Sequence, residues 1–212
     1  MFFRCCLLLG VALLFGQPNS ALADTLVFDF DTVGVNGADL DAAGSAGSTT
    51  ATGTSVTLTL AAAANSGNFN QTGTGFGINA AGSDDTDAID GGGDVDEMIT
   101  FSISGSDLAL TSLSLVSIEF DRFSGSGSGS LVFSSGGSST TFLDSDLSGS
   151  NVLSVNEAIS IGQTFTLSHV NGAGNGFGLE QITFEAITAV PEPSAALALA
   201  ICCGTLATRR RR

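Results

Sequence analysis

Seven carboxylates crowd into residues 84–97, DDTDAIDGGGDVDE: Asp84, Asp85, Asp87, Asp90, Asp94, Asp96 and Glu97. Like charges at this density repel, and a hard cation relieves the repulsion. Ca2+ takes about six to eight oxygen ligands, and flexible glycines such as Gly91 to Gly93 let backbone carbonyls join carboxylates around it. Asp85, Asp87, Asp90, Asp94, Asp96 and Glu97 are therefore the candidate calcium ligands. Their spacing fits neither the EF-hand loop nor the Gly-Gly-x-Gly-x-Asp repeat, since Ile89 stands where the first requires Asp. The competing reading is a solvated acidic loop whose charges salt screens.

Proton-transfer chemistry is thinly supplied. The one histidine, His169, reads as a solvated turn residue at a strand end, ahead of the loop Asn171 to Gly178. No Gly-x-Ser-x-Gly elbow presents a serine to it. Glu119 and Asp121 stand two apart on one strand's polar face, and Glu157, Glu180 and Glu185 are scattered. Glycoside hydrolysis needs two converging carboxylates. No catalytic residue is expected, and a secreted hydrolase is only an alternative. Sugar stacking uses exposed Trp and Tyr, and the chain has neither. Carbohydrate adhesion would then rest on polar loops or a metal. Thr50, Thr52, Thr54, Thr57 and Thr59 suggest a hydroxyl-bearing strand face. An ice-binding surface would need matching rungs on neighbouring strands, and this run reads as ordinary polar-face threonine.

The elements that must position these residues are strands. Leu26, Phe28 and Phe30 alternate with polar or outward positions. So do Val56, Leu58 and Leu60; Ile99, Phe101 and Ile103; and Val116, Ile118 and Phe120. Leu131 to Phe133, Phe142-Leu143, Val152 to Val155, Ile159 to Ile161, Phe165 with Leu167, and Ile182 with Phe184 complete the set. Gly/Ser clusters such as Gly125 to Ser130 separate them as turns. Gly37 to Thr54 reads as a mobile loop. No fixed repeat supports a solenoid. The prediction is all-β: about nine or ten strands in a single jelly-roll-like β-sandwich over residues 24–189.

Charge and cysteine usage narrow the class. The net charge is −15, there is no Lys, and Arg122 is the only cation between Asp24 and Val190. Such a body binds neither nucleic acid nor an anionic membrane surface. Cys5, Cys6, Cys202 and Cys203 all lie in terminal apolar runs. A disulfide framework, cysteine-ligated zinc and a cysteine nucleophile in the body are excluded.

The two ends read as addresses. Arg4, the apolar run Cys5 to Gly16 and the small residues Ala21 and Ala23 form a signal peptide over 1–23, cleaved before Asp24. At the other end Val190, Pro191, Glu192, Pro193 and Ser194 lead into Ala195 to Thr208 and then Arg209, Arg210, Arg211 and Arg212. The apolar run of 14 residues reaches about 21 Å as a helix. That is a short membrane span, and the arginines hold its cytoplasmic end.

This three-part segment, residues 190–212, resembles the PEP-CTERM sorting signal, also named the ice-binding protein C-terminal domain. The body is similar in arrangement to a common passenger of that signal, with Gly75 to Ile78 (GFGI) and a last strand running into VPEPS. The resemblance implies a Gram-negative, exopolysaccharide-producing host. It implies an inner-membrane intermediate, signal peptidase and an exosortase as processing partners, and exopolysaccharide as a possible ligand. The sequence thus predicts an exported, non-catalytic cell-surface or matrix protein, structural or adhesive. A carbohydrate- or calcium-dependent adhesion module is the alternative.

Overall fold

Small polar residues alternating with Phe, Leu and Ile leave most strands one face to bury, and two sheets bury those faces against each other. The computed structural model describes residues 21–30, 40, 44–72, 75–79, 88–90, 97–105, 110–123, 128–134, 139–170 and 176–189. Twelve strands are described: β1 (Ala21–Asp29), β2 (Ala46–Thr52), β3 (Thr57–Ala64), β4 (Asn68–Thr72), β5 (Gly75–Asn79), β6 (Met98–Gly105), β7 (Leu110–Phe123), β8 (Ser128–Phe133), β9 (Ser139–Leu143), β10 (Val152–Ala158), β11 (Thr164–Val170) and β12 (Phe177–Ala189). A 3-10 turn, Asp144–Asp146, follows β9. Residues Ala23–Ile187 form one unit. Met1–Leu22 with Thr188–Arg212 form another, of which Ala21, Leu22, Thr188 and Ala189 are described.

One six-stranded sheet runs β10-β7-β12-β5-β4, with β1 also paired to β12; the other runs β2-β3-β6-β11-β8-β9. The all-β expectation holds, with two antiparallel sheets around one apolar core. Phenylalanine rings join the layers. Phe120 of the first sheet stacks on Phe142 of the second at 5.3 Å, and Phe30 meets Phe101 at 6.4 Å. Such ring pairs add a little to the burial that holds sheets together.

Two local departures from the sequence reading are informative. Ala46–Thr52 is a strand, although Gly37 to Thr54 read as a mobile loop. Its inward residues, Thr49 and Ala51, are too small to signal a core face, and its pairing with β3 from Ala46↔Ala63 to Thr52↔Thr57 holds it in place. On β10 the register against β7 slips between Ser154 and Glu157. Asn156 takes up the extra residue at φ 53°, a left-handed conformation that asparagine tolerates.

Candidate functional site

In sequence the acidic stretch lies between β5 of the first sheet and β6 of the second. Beyond the single pairing Leu179↔Phe76, β5 and β12 admit the segment Ala88–Asp90. Ile78 donates its amide to the Ala88 carbonyl at 3.0 Å, and Ile89 exchanges amide–carbonyl bonds with Phe177 at 2.8 and 3.2 Å. A Cβ on Gly77 would strike the Ala88 backbone, and one on Gly176 the Ile89 carbonyl, so only glycine permits this approach.

Asp90 lies beside the first sheet, and Glu97 directly precedes β6 of the second. A reciprocal pair of hydrogen bonds joins the two residues. The Asp90 amide donates to Glu97 Oε2 at 3.0 Å, and the Glu97 amide donates to the Asp90 carbonyl at 2.9 Å. Both residues are buried, Glu97 to 1% exposure. Of the predicted calcium ligands the structure describes these two. Asp85, Asp87, Asp94 and Asp96 lie outside the described residues, as does Asp84. Among the described residues no three His, Cys, Asp or Glu side chains gather closely enough to hold a metal ion.

His169 corrects the sequence reading. It is not a solvated turn residue but the third inward position of β11, after Phe165 and Leu167, and is 3% exposed. Its amide donates to the Glu97 carbonyl at 3.2 Å, which places it beside Glu97 at the end of the core. Neither ring nitrogen has a hydrogen-bond partner among the described residues. The signal that could have found it was parity: Phe165, Leu167 and His169 share one phase.

Asp24, the predicted first residue after cleavage, lies within β1. Its Oδ2 accepts from the Ser55 hydroxyl at 2.6 Å and the Ser55 amide at 2.7 Å. These bonds, the hydroxyl first, hold its carboxyl below the usual aspartate range, with Thr54 adding to them and burial opposing. Ala21 and Ala23 precede it on the same strand. Glu119 and Asp121 are half-buried on β7, flanking the buried Phe120.

The threonine run is not one strand face. It folds as a hairpin that sets Thr50 opposite Thr59 and Thr52 opposite Thr57. Their hydroxyls stand 3.2 and 3.4 Å apart. A further rung, Thr100 to Thr166 at 3.1 Å, follows on β6 and β11.

The motif Val190 to Ser194, the apolar run 195–208, Arg209 to Arg212 and the leader 1–20 lie outside the described residues. Among the described residues no helix is long and apolar enough to cross a membrane. What fold and site define together is an all-β protein with a buried Asp90–Glu97–His169 corner. No protein-family model, no curated protein and no solved structure matches it.

Proposed function

We propose that this chain is an exported, non-catalytic cell-surface or extracellular-matrix protein, its two sheets forming a jelly-roll-like sandwich between a signal peptide and a PEP-CTERM-type sorting segment. The carrying observation is the sequence Val190-Pro191-Glu192-Pro193-Ser194, a 14-residue apolar run and four arginines, which follows directly on β12. Signal peptidase and an exosortase are the processing partners, with an inner-membrane stage before sorting. The groups that could do chemistry have structural roles that support this reading. Asp24 ties down a turn, Glu97 binds the Asp90 amide, and His169 is shut away from substrate.

The test is the intact mass of the protein recovered from its host. The expected species starts at Asp24 and ends near Pro193. Replacing Arg209 to Arg212 with Ser leaves the precursor unsorted. Surface protein that retains Arg212 overturns the reading.

The Asp90–Glu97 clasp favours a second reading, calcium-dependent adhesion. Asp90 and Glu97 bury two carboxylates at either end of a sequence stretch that carries Asp94 and Asp96. A cation there would offset the cost of burying them. An exopolysaccharide is the ligand class this reading implies.

A further inference from the structure

The two sheets differ in charge. None of the six strands β2, β3, β6, β11, β8 and β9 contains Asp, Glu, Lys or Arg, whereas β1, β7, β10 and β12 of the other sheet all carry carboxylates. In a chain of net charge −15, the described strands of one sheet face carry no carboxylate, Lys or Arg.

That face is laid out in rungs of small side chains. The register carries one rung unbroken across all six strands: Ala46, Ala63, Thr100, Thr166, Val132 and Ser139. Met98, Val132 and Leu143, three of the five exposed large apolar residues among those described, stand on the same outward side. A soluble sheet ordinarily protects its outer face with charge. This one, over its described strands, is neutral, low in relief and partly apolar.

We propose that this face docks a second copy of the same chain, sheet on sheet, about a two-fold axis. Charge argues for it first. Two copies that meet through the other sheet bring the carboxylates of β1, β7, β10 and β12 together, while this contact turns them outward. Extent argues for it next. Six strands at about 4.8 Å spacing and about 3.3 Å per residue make a face of roughly 600 Å2. Two such faces bury roughly 1,200 Å2, the lower bound of specific interfaces.

Shape separates the copy from the obvious competitor, ordered water on an ice lattice. Neighbouring strands rotate by about 20–25°, so six strands turn through roughly 100°. A flat lattice meets only part of such a surface. An identically twisted sheet meets all of it, as stacked sheets do at about −30°. The pairing is independent of how the chain ends are processed.

The experiment is sedimentation velocity on the full chain in mild detergent over a concentration series, with Thr166→Glu and Val132→Glu beside it. Glu185→Gln, on an exposed position of the other sheet, is the control. Circular dichroism confirms that each variant is folded. The wild-type chain and the control dimerise, and the glutamates weaken the dimer by roughly tenfold or more, because each brings a like-charged pair of carboxylates into the contact. Should Thr166→Glu fail to fold, the exposed Val132 carries the test alone. A chain that stays monomeric at every concentration overturns the proposal. So does a dimer that persists in the folded variants, which places the contact elsewhere. A monomer that suppresses ice recrystallisation overturns it in favour of lattice water.

Discussion

Gly129 of β8 and Phe142 of β9 face each other across the hairpin with no room for one more carbon: a Cβ on Gly129 would lie 2.1 Å from Phe142 Cζ and 2.4 Å from Cε2. Phe142 cannot retreat, because Phe120 and Phe177 pack on it at 5.3 and 5.7 Å. Gly129→Ala should therefore destabilise the fold by about 1–3 kcal/mol, as overpacking a filled core does. Gly149→Ala, where a Cβ meets nothing within 4 Å, should change stability by less than about 0.5 kcal/mol. Urea unfolding of the two variants checks both, and equal midpoints would refute the packing argument.

His169→Leu should stabilise the protein. A buried donor without a partner costs about 1–3 kcal/mol, and leucine fills the site without one. The expected result is a higher urea midpoint at neutral pH with an unchanged slope. A lower midpoint would show that the imidazole is satisfied in solution.

Asp24 contributes a pH-dependent stability of definite sign. Its folded-state pKa is lowered, chiefly by the Ser55 hydroxyl and then the Ser55 amide. The contribution is complete above the unfolded aspartate pKa of about 3.9 and is lost as pH falls through the lower folded value. The wild-type advantage over Asp24→Asn should hold at neutral pH and shrink on acidification. Two unfolding curves that stay parallel down to acid pH would remove Asp24 as the source.

Calcium should raise the thermal midpoint of the full chain if the acidic stretch holds it, since a ligand bound only to the folded state stabilises it by mass action. Glu97→Gln keeps an acceptor for the Asp90 amide and removes the charge, so it should abolish the rise. A wild-type midpoint identical in millimolar calcium and in excess chelator would eliminate the site.

What the sequence made legible was phase. Ile99, Phe101 and Ile103 on β6, and Phe165 and Leu167 on β11, alternate so regularly that strand and inward face follow directly. The same rule extended two residues further would have buried His169, but the Gly-rich loop beyond it suggested a turn. Strand β2 was illegible because Ala, Gly, Ser and Thr give no apolar contrast between its faces. The threonine hairpin was hidden because Gly53-Thr54-Ser55 breaks the run with a single glycine. The Asp90–Glu97 clasp depends on two sheets meeting, which no local pattern encodes. The charge difference between the sheets was present in the sequence but became visible only once strand order sorted the strands.

Strand β12 occupies the interior of its sheet, between β7 and β5, and is also the partner of β1. It is the last of the described strands to be synthesised. The first strand therefore waits for nearly the whole body to emerge before it can pair, and the sheet cannot close while the chain is still being made. The strands of the second sheet, β2 to β11, have all emerged before β12, so closing the first sheet is a late, long-range step that slows folding by the standards of the chain's size.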